Sequence, residues 1–599
     1  MSSLRDATHL DSINLPKAHI TERPYDEPPT LKNPTLRGLP LRISASIVSS
    51  TPFISAYLWR NAGFDILRRL PGLQNFPPRF NPIVVPRTRD VSSQDQPVTP
   101  IRPESDISRS LLPSYPISIP DYHDLYQSRT LSPLQVIELL LPLIRRDRAT
   151  PTAHSIAFVL VNPDLVRGAA EASTRRWEEG RPLSLFDGVP IAVKDDVDIE
   201  GYQKRLGSKF STDGRDTAWC VAKLMEAGAI VLGKTTMVEL GTDTSGNNPN
   251  DGTPLNPHNR NYYCGGSSTG SAYAVSAGLV PFAVGADAGG SIRIPSSFCG
   301  IFGLKPSHDR VSRRPSANGA SSNGVTGPMA ACMVDLELGF RLMADPDPCD
   351  QNSSLFPSPY SARPISRPKV LGVPRAWFDR ADDQVRICCR AAIDFLRDKL
   401  GYEIIEINIP YLHAGQSAQS LTALAELSAS TLDIPLGGIT ASSQLLICVG
   451  RETPAADFLL AQRLRELLMQ HLSALFQQHP GLIIVTPTTG LSGWPIRSDV
   501  ELKTGLSDAN MSWRNAEYCW LANFSGCPSL QAPAGYVASH GGGADIPVGI
   551  MGMAQWGADE ELIDFGYDIE RWLNEGLPGG RQRPENWVNV LDLEAAATL

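Results

Sequence analysis

Apolar runs broken by capping and turn residues divide the chain into helices and strands. Ser132, Pro133 and Gln135 supply an N-cap, a proline for the first helical position and a glutamine placed for a capping box, and the apolar run VIELLLPLI follows. A helix is predicted to start there. A strand is predicted over 156–161 and a helix over 165–179, ended by Gly180 and Pro182. The apolar positions 189–193 lead directly into Lys194, the pattern of a buried strand with an amine at its end. WCVAKLMEAGAIVLGKTTMVEL, from 219, reads as helix, Gly228, short strand and the start of another helix, a right-handed α/β unit. SAYAVSAGL at 271–279 is helix-compatible, and VPFAVGA at 280–286 reads as a short buried strand. Strand, helix and strand are predicted over 370–373, 383–400 and 403–407, and a long helix over 454–478.

The first 110 residues differ in texture. They hold fifteen of the fifty prolines, and 87–110 reads as a linker. Their apolar part, 39–73, is too hydrophobic to stay in solvent and is expected to pack on the same chain or on a second copy. Within it, 43–59 lies between Arg42 and Arg60. It is short for a membrane span, rich in serine and interrupted by Pro52, so docking on the protein is favoured over an interfacial segment.

Composition narrows the function classes. The chain has 599 residues, enough for one large α/β domain or several ordinary ones, with 42% hydrophobic and 20% charged residues and a net charge of -9. No basic footprint for nucleic acid is present. All ten cysteines lie from Cys220 onward without a CxxC pair, which argues against a zinc ribbon or a disulfide framework. With no basic and apolar leader at the N-terminus, a reducing, cytoplasmic setting is expected.

The candidate chemistry lies in 264–306, where Ser267 and Ser291 each follow two glycines. A serine behind Gly-Gly can present its hydroxyl and its backbone N–H to one reacting atom, so both are candidate nucleophiles. GGSSTGS lacks the lysine of a phosphate-binding loop. Thr269 and Arg293 stand where a nucleophile elbow needs its second glycine. His258 and His308 are isolated, and nothing in the sequence asks for a Ser-His-Asp triad. Lys194 is a solvated surface charge, an ion-paired lysine with Asp195 or Asp196 as partner, or a base made neutral by burial or neighbouring cations; the apolar run before it favours burial.

FDGVPIAVKDDVD, AGAIVLGKTTMVEL, GGSSTGS and GADAGGSIRIPSSFCGIFGLKP, in that order and spacing, resemble the amidase signature family. The resemblance is strong over 132–330 and returns at 483–488 and 526–570. It implies an α/β fold with a large mixed central sheet covered by helices on both faces. The Pro-rich N-terminal arm, 1–110, and 346–480 match the family little; the catalytic domain is expected over 111–599, with core motifs at 185–330 and a C-terminal part at 480–575. The implied triad is Ser291 as nucleophile, Ser267 as bridging serine after a cis peptide, and Lys194 as base. The backbone N–H groups of Ala288, Gly289, Gly290 and Ser291 would form the oxyanion hole, supported by Ser268, Asp287 and Arg293. The chain departs from the family pattern at Thr269, where glycine is usual, and at Ala286 and Ala288, where threonines are.

The resemblance implies a metal-free amide hydrolase without cofactor, acting on a small-molecule amide. A glutaminase-type subunit of an amidotransferase and a biosynthetic acyl transferase are the alternatives. A homodimer is one option for assembly. Residues 421–443 and 491–512, without chemistry of their own, are expected to line or cover the substrate cleft.

Overall fold

Eleven strands form one mixed sheet in the computed structural model, which describes residues 12–25, 27, 33–86, 116–211, 216–316, 319–359, 368–539 and 542–598. From edge to edge the strands are Glu403–Glu406, Val370–Val373, Leu482–Pro487, Ile546–Met553, Ser529–Val537, Phe302–Lys305, Val325–Ala330, Phe282–Asp287, Pro190–Lys194, Ile230–Thr235 and Phe158–Leu160. Helices flank the sheet, which makes the fold α/β as expected.

Three neighbouring strands position the chemistry: β1 (Pro190–Lys194), β2 (Ile230–Thr235) and β3 (Phe282–Asp287). β1 pairs in parallel with both of the others, with Val193 opposite Val284 and Lys194 opposite Thr235. Every residue of the three is buried, which matches their near-continuous apolar runs. Parallel strands end on the same side of a sheet, so Lys194 and Asp287 meet at one carboxyl edge, where α/β folds place their ligands.

Local signals formed the expected elements. Gln135 N–H donates to Ser132 Oγ at 3.3 Å while Ser132 N–H donates to Gln135 Oε1 at 2.8 Å, and the helix Pro133–Ile144 follows. The helix expected after β2 does not form. Thr236 N–H donates to Ala157 O at 2.9 Å and Val238 N–H to Ser267 O at 3.2 Å, so tertiary partners claim this backbone. Only a short turn, Glu239–Gly241, remains, with Leu240 left-handed at φ 54°.

Residues 39–73 pack on the rest of the chain. Pro52 splits its apolar run into α1 (Gly38–Ser50) and α2 (Pro52–Asn61). Leu41, Ala45 and Val48 of α1 face inward toward the helix Ala441–Arg451, while Trp59, Phe64, Leu67 and Leu73 join the main core. The opposite face leaves Leu39, Ile43, Ile47, Phe53 and Tyr57 exposed. Arg68 clasps Asp457 of the helix Ala455–Gln478 with bonds of 2.7 and 2.6 Å. Strand Leu36–Arg37 pairs with Leu506–Ser507. No helix among the described residues is long and apolar enough to cross a membrane. The linker 87–110 and the boundary at 110 lie outside the described residues.

Candidate active site

Lys194 projects from the end of β1 into a buried seam. Its Nζ donates to Ser267 Oγ at 2.9 Å and to Ala286 O at 3.1 Å. Burial pushes the amine down from its ordinary pKa, and this outweighs the carboxylates of Asp196 and Asp287, which would raise it. Asp196 Oδ2 stands 3.8 Å from the same nitrogen. Burial works against the Asp196 charge, but Lys194, Arg313, Lys204 and Lys234 together hold its carboxyl below the usual range.

Ser267 sits in the turn between Cys264 and the helix Thr269–Ser276, and the Gly266–Ser267 peptide is cis. Gly266 N–H donates to Thr244 O at 2.8 Å. A Cβ at Gly266 would lie 2.9 Å from Val238 Cγ2 and 3.0 Å from Asp243 O, so only glycine fits that approach. Ser268 N–H donates to Ser291 O at 3.1 Å and joins the second Gly-Gly-Ser loop to the first. Ser268 Oγ donates to Ala286 O at 3.1 Å. The residues that depart from the family pattern are absorbed here: Ala286 contributes through its carbonyl, and Thr269 Oγ1 bonds Gly265 O at 3.0 Å.

Asp287 organises the loop that carries Ser291. Its carboxylate accepts Gly290 N–H at 2.7 Å, Ile292 N–H at 3.1 Å and the Arg293 guanidinium at 3.0 Å through both Nε and Nη2. Burial alone would raise the Asp287 carboxyl, but Arg293 and the hydrogen bonds from Asn523 and Gly290 hold it well below the usual carboxylate range. Gly290 turns at φ 121°, and a Cβ there would lie 2.6 Å from Ile294 Cδ1, so glycine is required. With Gly290 N–H engaged by Asp287, three of the four expected oxyanion donors remain. The N–H groups of Ala288, Gly289 and Ser291 make no hydrogen bond to a described residue.

Exposure separates the three expected catalytic side chains. Ser267 is 1% exposed, Lys194 2% and Ser291 9%. All three are buried, Ser291 the least so, and the Ser267 hydroxyl is held by the Lys194 amine. Neither histidine takes part: His258 packs on Tyr536 and His308 stands 3.7 Å from Asp309.

Two residues escaped the sequence reading. Gln419, from the helix Leu412–Ser430, donates to Ala288 O at 2.8 Å. Asn523, from the helix Trp520–Ser525, donates to Asp287 O at 3.1 Å and to Asp287 Oδ1 at 2.9 Å. Each lies in an ordinary helix far along the chain, with no motif around it. Of the segments expected over the cleft, 491–512 reaches the site through Ser512, whose hydroxyl donates to Asp243 Oδ1 at 2.7 Å.

Comparison with known proteins adds relatives to this geometry. The family model described as amidase matches residues 138–563. A fatty acid amide hydrolase of Medicago truncatula is 31% identical over 604 residues, covering 94% of this chain and 96% of its own length. A glutamyl-tRNA(Gln) amidotransferase subunit of Chloroflexus aurantiacus is 31% identical over 454 residues, covering 70% of this chain and 89% of its own. A solved peptide amidase, in complex with the competitive inhibitor chymostatin, superimposes with a TM-score of 0.65 at 25% identity. It covers 78% of this chain and 99% of its own.

Proposed function

Since the chain belongs to the amidase family and is an amide hydrolase, we propose that it cleaves its substrate through an acyl-enzyme on Ser291, with Ser267 and Lys194 as the proton relay. The observation that carries this reading is the 2.9 Å bond between Lys194 Nζ and Ser267 Oγ in a seam closed to solvent. An amine whose pKa is lowered by burial can reverse that bond and accept the hydroxyl proton.

Neutral Lys194 takes the proton of Ser267, Ser267 takes that of Ser291, and Ser291 Oγ attacks the amide carbon. Negative charge gathers on the carbonyl oxygen, where the N–H groups of Ala288, Gly289 and Ser291 receive it. The tetrahedral intermediate collapses as the relay returns a proton to the nitrogen, which leaves as ammonia or an amine. Water then attacks the acyl-serine by the same route and releases the carboxylic acid, and Ser291 regains its proton.

Fatty acid amides are the substrate class we assign, because fatty acid amide hydrolases align over nearly the whole chain, most of the N-terminal arm included. The amidotransferase reading is supported by relatives that align over a smaller share, and it requires a partner protein. Two measurements test the proposal. Labelling with a fluorophosphonate probe followed by peptide mapping is expected to modify Ser291; modification elsewhere refutes the mechanism. Purified protein alone is expected to hydrolyse long-chain primary amides faster than acetamide, and a preference for glutamine refutes the substrate class.

A further inference from the structure

Asp287 and Ala288 carry the two carbonyls that precede the oxyanion donors, and a side-chain amide grips each one. Asn523 Nδ2 holds the carbonyl of Asp287 at 3.1 Å, and Gln419 Nε2 holds that of Ala288 at 2.8 Å. The two amides come from separate helices, and both side chains are buried. Both peptides are trans. In a trans peptide the C=O and the following N–H point in opposite directions. Fixing the carbonyl of 287 therefore aims the N–H of Ala288, and fixing that of 288 aims the N–H of Gly289, each away from its clamp. Gly289 has little else to orient it: an added Cβ would meet only the Gln419 amide, 3.5 Å away at Nε2.

Resting on the reading of Ser291 as nucleophile, we propose that Gln419 and Asn523 are positioning residues that preset the oxyanion donors Ala288 N–H and Gly289 N–H by clamping the carbonyls behind them. Neither amide touches the reacting atoms. Their effect belongs to the transition state, because the donors matter most when charge has developed on the substrate oxygen. Asn523 also accepts from Arg293 Nη2 at 2.5 Å, so its replacement disturbs the ion pair as well. Gln419 is the cleaner site to test.

Gln419→Glu keeps the shape but loses the donor, and Gln419→Met keeps the length without polarity. Wild-type protein is first labelled with a fluorophosphonate probe and mapped, and labelling away from Ser291 refutes the nucleophile reading itself. With Ser291 confirmed, both variants are assayed on a fatty acyl p-nitroanilide. The expected result is a fall in kcat of about 10- to 100-fold with KM within about threefold of wild type. Phosphonylation of Ser291 should slow by a similar factor, and the thermal midpoint should stay unchanged. A kcat within about twofold of wild type overturns the proposal. A loss confined to KM overturns it by making Gln419 a substrate contact. A loss that follows a lowered thermal midpoint, or failure of both variants to fold, overturns it by making Gln419 a residue of the scaffold.

Discussion

Asp196 holds its carboxylate 3.8 Å from the Lys194 amine, which is buried, while the Asp196 side chain keeps 14% of its surface exposed. The anion favours the charged amine, as do the more distant effects of Asp287, whereas burial and Arg313 favour the neutral one. Asp196→Asn removes the nearest anion, so Lys194 loses its proton at lower pH. The acid limb of kcat/KM is expected to move down by about one pH unit. A pH-rate profile checks this, and an unchanged or upward-shifted limb contradicts it.

Lys194→Ala removes the only expected base while Ser267 and Ser291 remain. Turnover near neutral pH is expected to fall by about a thousandfold or more. Circular dichroism should remain that of the wild type, since Lys194 stands at the end of a strand that is paired on both sides, itself opposite Thr235. Full activity in this variant would discard Lys194 as base.

Arg293→Met leaves the Asp287 carboxylate buried without its cation, which is expected to cost about 3–5 kcal/mol of stability near neutral pH. The sign with pH follows from the depressed carboxyl of Asp287. Its stabilising contribution is present above the pKa of the unfolded carboxyl, about 4, and is lost as pH falls toward the lower folded value. The gap between wild type and variant should therefore narrow as pH drops below about 4. Urea midpoints measured over pH 3–7 check it.

The clasp between arm and core is asymmetric. Asp457 is fully buried, whereas Arg68 is half exposed. Arg68→Ala strands a carboxylate away from water, while Asp457→Asn leaves a cation that water can still reach. The arginine variant is expected to be the less stable of the two, and thermal melts of both compare them directly.

Much of the site was legible because its chemistry is local in sequence. The apolar run into Lys194 became a fully buried strand, and the two Gly-Gly-Ser loops fell at a helix start and past a strand end, as their composition predicts. Partners that arrive by tertiary contact were not legible. Gln419 and Ala288 are 131 residues apart, Asn523 and Arg293 230 apart, and a lone amide in a helix carries no local mark of what it will touch. The same cause explains the helix expected after β2, whose backbone is drawn instead to Ala157 and Ser267. The arm was half legible: its apolar content called for docking, but which face stays exposed depends on the helices it meets.

Of the side chains in the relay, all buried, Ser291 is the most exposed, at 9% against 1% for Ser267 and 2% for Lys194. That gradient sorts reagents by where they can go. An electrophile too bulky to enter the seam cannot meet the amine, so such reagents, which acylate lysines across the surface, should leave Lys194 untouched. Burial thus does two things to one amine: it lowers its pKa and it keeps reagents away from it.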